Sequence, residues 1–449
     1  MKHTTFTIAL LIANNFVNAK SVDSVTIQQP ATAHNEVVSP QNVNLTTADF
    51  MQQSLNKSAL FSTDNNNPSP APTTAHPKKQ WYENIQMRGY AQVRYNRLLE
   101  TNPLLKCEQC DKSIGDKNGF SMRRLRLVWY GQVHPRVYMY IQPDLASSLN
   151  SALPGMVAQI RDAYFDIGIL KNNNLKARVG QSKVPFGFDN MQSSQNRLNL
   201  DRSDAINSAF ANERDMGTFF MYTPEKRKKL YSTLANDGLK TSGDYGMATF
   251  GLFNGQLANN PEANNNLHWV GRFTYPFSIK SQIIEAGVQM YRGQFTLTQA
   301  NLTNNVKVKS DLTYLDSRKA ASFILYPKPF GIQAEYNAGV GPKYNATTDS
   351  IETGKLNGGY IVASFKTSYK ETTIIPFARY NYYNGGKKME KDARAYLVKE
   401  LEFGIEWQLA KNLEITMAYN MADRTTQDKS NTNNHQKGNF LRIQVQVNY

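Results

Sequence analysis

Long apolar runs are missing from this chain. Mean hydropathy is −0.54 over 449 residues. Nothing outside the extreme N-terminus approaches the 18 or so uninterrupted apolar residues (about 18 at least) of a membrane helix. A helical membrane protein is excluded, but a chain of alternating strands is not, because half its strand residues face water. Histidine and cysteine are scarce, at six and two residues. His3, His34, His76 and His134 fall in the N-terminal segments or a tight turn, and His268 and His435 in polar loops without a recognisable partner. Hydrolysis by a nucleophile and a paired base therefore lacks its histidine. There is no phosphate-cradling Gly loop and no metal-ligand spacing, so neither enzyme activity, cofactor nor metal is expected.

Acidic residues are also in deficit, 36 against 51 Lys and Arg, which leaves a formal charge of +15. Such an excess points to an acidic partner: nucleic acid, lipid headgroup or small anion. An export signal removes nucleic acid from that set. Met1-Lys2-His3 is a basic start, Phe6 to Val17 is mostly apolar, and Val17-Asn18-Ala19 puts a small residue at the cut, so residues 1–19 are expected to be a secretory signal peptide. Residues 20–80 are rich in Asn, Gln, Ser, Thr, Pro and Ala and bury too little apolar surface to offset chain entropy. A disordered periplasmic arm is expected there, with a short helix over 47–61. Four basic and four acidic residues cancel within the arm and Lys2 leaves with the signal, so an excess of +14 belongs to 81–449.

From Trp81 onward the texture is of roughly ten-residue segments alternating in polarity, separated by turn-rich gaps. The first runs from Ile85 to Leu98, with Met87, Gly89, Ala91, Val93 and Tyr95 on one face and Arg88, Tyr90, Gln92, Arg94 and Asn96 on the other. Then come 120–133, 137–145, 157–169, 175–187, 213–222, 244–255, 268–277, 282–293, 316–327, 330–341, 359–370, 373–384, 397–409, 413–424 and 438–449, which makes sixteen. The gaps alternate long and short (99–119, 134–136, 188–212, 410–412, 425–437), as in a membrane barrel with long outer loops and short periplasmic turns. The 223–243 gap breaks that rhythm and is expected to hide longer strands around a tighter turn, an uncertainty of one strand pair. Trp407, Phe277, Phe330 and Tyr449 fall at periplasmic strand ends on the outward face, where an aromatic girdle belongs.

The last segment, Leu441 to Tyr449, is apolar at every odd position and polar at every even one. Its terminal aromatic resembles the closing strand of a bacterial outer-membrane β-barrel, which pairs with the first strand and is read by the barrel-assembly machinery. With the apolar face toward outer-membrane lipid, Arg88, Arg94, Arg124, Arg126, Lys176, Arg178, Arg272, Lys366, Arg379 and Arg442 point into the lumen. A lipid-facing Arg at the midplane costs roughly 2–4 kcal/mol, which supports that parity. Inward acids, Asp144, Glu285, Glu335, Glu400, Glu402 and Glu406, imply salt bridges that brace the wall, with an uncompensated basic excess near the first strands. Arg161 and Asp162 are adjacent in one strand, and alternation does not decide which faces in.

Four motifs recur in order: Phe120-Ser-Met-Arg-Arg-Leu-Arg-Leu, Ile160-Arg-Asp-Ala-Tyr-Phe, Val179-Gly-Gln-Ser-Lys-Val-Pro-Phe-Gly and Asn212-Glu-Arg-Asp-Met-Gly. Together they resemble the phosphate-selective porin O/P family of sixteen-stranded, usually trimeric outer-membrane channels. The resemblance implies an all-β transmembrane barrel over 81–449 that passes small anionic solutes such as phosphate or polyphosphate. It also implies that the third outer loop, 188–212, folds inward, which puts Lys183, Arg197 and Arg202 at the constriction with Asn196, Asp201, Arg214 and Asp215 beside them; a solvated surface loop is the other reading. A homotrimer is expected. The alternative is a structural or adhesin-type barrel with a plugged lumen. Cys107-Glu-Gln-Cys110 reads as a disulfide in an oxidising space, with redox or half a metal site as the other readings.

Overall fold

Alternation of polarity over Ile85 to Asn448 produces strands, and their pairing produces a closed wall. The computed structural model describes residues 80–107, 119–148, 155–156, 158–210 and 212–449. The expected signal peptide, arm, 47–61 helix and Cys110 lie outside the described residues. The strands are β1 Ile85–Leu98, β2 Gly119–His134, β3 Val137–Asp144, β4 Gln159–Gly168, β5 Leu175–Lys183, β6 Arg214–Tyr222, β7 Ala248–Phe253 and β8 His268–Ile279. They continue as β9 Gln282–Thr296, β10 Thr313–Leu325, β11 Phe330–Asn345, β12 Ser350–Phe365, β13 Thr372–Gly386, β14 Ala395–Ala410, β15 Leu413–Gln427 and β16 Asn434–Asn448. A short piece, Thr367–Tyr369, prolongs β12 and pairs with β13. Each strand pairs antiparallel with the next, and β16 pairs with β1, so the sixteen strands close.

Closure runs in register from Tyr90 to Tyr95, where Ala91 faces Val447, Val93 faces Val445 and Arg94 faces Gln444, and shifts before Leu98 meets Leu441. The last residue completes the seam, since Gly89 N–H donates to Tyr449 O at 2.6 Å and Tyr449 N–H donates to Gly89 O at 3.0 Å. The Tyr449 ring occupies the space a Cβ on Gly89 would need, 2.5 Å away. Among the described residues the sixteen-stranded wall has no edge left to face lipid, the condition for a sheet in a bilayer.

The outward face is an apolar belt. Trp129, Phe165, Phe220, Phe250, Phe273, Phe323, Tyr336, Ile361, Phe403 and Val445 are exposed on strands spread around the barrel. A patch of this extent is what lipid covers. Trp407, Phe330 and Tyr449 are exposed at the periplasmic ends. The inward face buries Arg94, Arg126, Arg178, Arg272, Arg379 and Arg442 with their partners.

The structure corrects the reading in several places. The 223–243 gap holds no tight turn and no extra strand pair. A helix, Glu225–Asn236, fills it, because Tyr231 and Leu234 bury one face against Ile283 and Tyr326. β12 starts at Ser350, well before 359, because its outer half pairs with β11 from Asn345 onward. β5 stops at Lys183, where the carbonyl–amide ladder reaches Pro185, which has no N–H to donate. Lys366 stands between the two pieces of β12 at the rim and donates to Asp237 O at 2.8 Å. His268 is buried between Phe253 and Tyr291, and His435 sits 2.9 Å from Asp423 of the neighbouring strand, so neither is a partnerless loop residue.

Candidate functional site

The segment between β5 and β6 packs against lumenal side chains. Its two short helical turns are α1, Phe188–Met191, and α2, Asp204–Asn207. Phe188 and Asp189 N–H groups donate to the Glu335 carboxylate at 2.6 and 2.9 Å. Asn337 donates to Ala205 O at 2.6 Å, Ser203 Oγ to Asn381 at 2.9 Å, and Arg379 to Asp201 O at 2.8 Å. These contacts fasten one side of the segment to β11 and β13.

Its other side faces β2 and β4 across a cavity of about 50 Å3. The lining is unusual in charge: Arg123, Arg124, Arg126, Arg161, Arg197 and Arg202, against Asp201 and Glu213 only. Two β-bulges build it. Between Gln92 and Val93 of β1 the register with β2 slips, and Arg123 is the extra residue between Arg124 and Met122. Between Gln142 and Pro143 of β3 it slips again, and Arg161 is the extra residue between Asp162 and Ile160. A bulge opposes two residues to one and re-aims a side chain. Arg161 and Asp162 therefore both face inward, toward Asp144 at 3.4 Å and Arg214 at 2.8 Å. Arg123 and Arg161 escaped the alternation argument for this reason. The signal available was two adjacent charged residues inside a strand, where one had to face lipid or break the ladder.

The remaining arginines divide by partner. Arg126 pairs with Asp144 at 2.8 Å and donates to Tyr90 Oη at 2.8 Å. Arg202 pairs with Glu213 at 2.5 Å; burial lowers the Arg202 guanidinium pKa, and Glu213 opposes that shift. Arg124 donates to Gln92 Oε1 at 2.7 Å, and Arg197 to Leu200 O at 3.3 Å. Among the described residues neither has a carboxylate within ion-pair distance, and the Nε of each has no hydrogen-bond partner. Both are buried, at 4 and 6 % exposure. A buried cation without a counter-charge is costly. The site is thus electrostatically incomplete in a way an anion would complete.

The other expected site residues lie elsewhere. Arg94 reaches Asp201 at 3.5 Å and Gln444 at 2.7 Å, and Arg272 pairs with Glu285 at 3.2 Å. Arg379 pairs with Glu402 at 2.6 Å and Glu400 at 3.4 Å. Lys183 donates to the Met191 and Gln192 carbonyls at 2.9 and 2.6 Å. Arg88, Arg178 and Lys183 line a second cavity of about 540 Å3 on the periplasmic side, between β1–β6 and the β6–β7 insert. Cys107 is buried, with Arg424 3.4 Å from its sulfur, and its expected partner Cys110 lies outside the described residues.

That insert crosses the periplasmic mouth. Its helix, α3 (Glu225–Asn236), begins beside the β4–β5 turn, where Lys228 donates to the Asn172 and Asn173 carbonyls at 2.7 and 2.6 Å. Beyond the helix Asp237 meets Lys328 at 3.0 Å, and Lys240 meets Glu406 of β14 at 2.5 Å. Burial disfavours the Lys240 ammonium, but Glu406 and Glu414 more than offset it, so its pKa is raised.

The sequence profile of phosphate-selective porins O and P matches residues 106–449. The chain belongs to that family. It is an outer-membrane porin, a member of a family of channels rather than enzymes. Among solved structures, the outer membrane channel DcaP of Acinetobacter baumannii superposes with a TM-score of 0.51 at 13% identity, covering 81% of this chain and 97% of that one. An anion-selective porin from Comamonas acidovorans gives 0.48 at 8% identity, covering 81% and 99%. At these identities the first likeness speaks for the barrel fold alone. No curated protein matches the chain.

Proposed function

We propose that this porin passes small solutes by diffusion with a bias toward anions, and that segment 188–212 narrows the lumen to a path along β1–β6. The observation that carries this reading is the arginine pocket, lined by six guanidiniums and two carboxylates, in which buried Arg124 and Arg197 have no carboxylate partner among the described residues. No bond is made or broken. Fixed cations in a site poor in water lower the entry barrier for an anion, and several weak sites in series let it leave. Phosphate and polyphosphate fit this chemistry, as do other small oxyanions. The protein is exported by residues 1–19, is assembled through its C-terminal strand and works as a homotrimer in this reading, with 20–80 a periplasmic arm and Cys107 joined to Cys110.

A second reading, a structural barrel with a plugged lumen, draws on the insert that spans the periplasmic mouth from Asn172 to Glu406. One experiment separates the two. In a planar bilayer under a KCl gradient, the channel reading expects stepwise conductance and a reversal potential of anion sign. Absence of conductance supports the plug, and a cation-selective potential refutes the bias.

A further inference from the structure

A bare oxyanion needs donors and charge; a tyrosine serves it through its hydroxyl alone, and the ring face adds nothing. The periplasmic vestibule of about 540 Å3 nevertheless presents five tyrosines: Tyr90, Tyr138, Tyr140, Tyr164 and Tyr245. Four stand at lumenal positions of β1, β3 and β4, and the fifth comes from the β6–β7 insert. Tyr140 and Tyr164 stack with centroids 5.1 Å apart and planes within 14°. The Arg178 guanidinium lies 3.9 Å from the Tyr164 ring centroid and 5.3 Å from that of Tyr245, so the row continues across it. Asp166 fixes Arg178 there with two hydrogen bonds, 2.7 and 2.9 Å. Tyr140 and Arg178 cover the two faces of Tyr164, so the row is a preformed stack, its cation already oriented, that offers the outer ring faces of Tyr140 and Tyr245 at its ends.

Between the rings the lining is planar and polar, with Gln132, Gln142 and Asn196 among its members. Its charged groups are six cations and three carboxylates, so it keeps the positive sign of the pocket above. The two cavities lie on either side of Arg214, which lines the larger one and pairs with Glu213 of the smaller at 2.5 Å. A pyranose ring has apolar C–H faces that pack on aromatic rings and a rim of hydroxyls that seek amides and carboxylates. The volume falls inside the roughly 300–1,000 Å3 typical of small-molecule sites.

We propose that this vestibule is a binding site for anionic sugars, one or two rings carrying a carboxylate or a phosphate. The ring lies against the outer face of Tyr140 or Tyr245 while the acidic group engages the arginines. This rests on the anion-channel reading and narrows it from ions in general to a substrate class.

The test is current block in a planar bilayer, using galacturonate and glucose 6-phosphate as probes, with inorganic phosphate, acetate, glucose and benzoate as comparators. The two anionic sugars are expected to half-block at concentrations about tenfold or more below every comparator. Tyr140→Leu combined with Tyr245→Leu is expected to raise their half-blocking concentration by about tenfold. Equal block by phosphate or acetate overturns the proposal, as does equal block by glucose or benzoate. So does an unchanged half-blocking concentration in a variant that inserts. If that variant does not insert, the wild-type ranking decides alone. The reversal potential of the same wild-type channels keeps the two readings apart. Anion selectivity with a flat ranking sinks the sugar site only, whereas cation selectivity sinks the reading beneath it.

Discussion

Along β13 to β16 the lumenal arginines meet carboxylates at close range, while along β1 to β6 the same side chain is used with space around it. On the first arc Arg379 is held by Glu402 and Glu400, and Arg424 by Glu400 at 2.5 Å and Asp204 at 3.1 Å. Arg442 meets Asp201 and Glu402. On the second arc Arg126 and Arg178 keep carboxylate partners, but Arg124 and Arg197 have none among the described residues. Among the described residues both cavities are lined by β1–β6, the β4–β5 turn, the β5–β6 segment and the β6–β7 insert. Pairing decides the outcome. A paired buried guanidinium is a brace, and one with an open side is a place for a solute's charge.

The comparison breaks most visibly on the bracing arc. Arg379→Ala takes from buried Glu402 its nearest cation, leaving Arg442 at 3.8 Å, and from Glu400 one of two, leaving Arg424; breaking a buried pair costs about 3–5 kcal/mol. A lower unfolding temperature in detergent is expected, with channels that still insert keeping wild-type selectivity. Arg124→Glu acts on the other arc, where it breaks no ion pair. Two unit charges about 4 Å apart interact by roughly 1 kcal/mol in bulk water and about 4 at an effective dielectric of 20. Reversing one charge there should lower the anion-to-cation permeability ratio severalfold, with less thermal destabilisation than Arg379→Ala. Arg126→Glu is the internal control, because it sets a new carboxylate against Asp144 and should cost stability first.

Salt sharpens the contrast further. The Debye length is about 10 Å at 0.1 M and about 3 Å at 1 M. Anion preference measured by reversal potential should therefore shrink in molar salt, while the thermal stability supplied by the buried pairs changes less. The smallest effect concerns the outer rim. Cys107 and Cys110 are expected to be joined, so labelling under denaturing, non-reducing conditions should find no free thiol. Two reactive thiols contradict it.

Most of the wall was legible because a strand's period is two and lipid punishes any error of parity. Leu441 to Tyr449 fixes one face outward, and Arg94, Arg126, Arg178, Arg379 and Arg442 follow on the other. What escaped was whatever breaks the period. Arg123 and Arg161 turn inward only because a bulge adds a residue, and a bulge depends on two strands at once. The helix over Glu225–Asn236 escaped for another reason. Its basic run resembles a solvated turn until Tyr231 and Leu234 are seen against Tyr326 and Ile283, residues far along the chain. Partnership was the least legible of all, because Arg124 and Arg126 stand two apart on one face and only the folded barrel gives one of them an acid.

That difference in partnership is what the anion reading depends on. The most direct test is the reversal potential of single channels under a KCl gradient, wild type beside Arg124→Gln with Arg197→Gln. The account predicts an anion-selective wild type whose permeability ratio falls toward unity in the double variant. A wild type without anion preference, or a double variant that inserts and keeps the full preference, would contradict it.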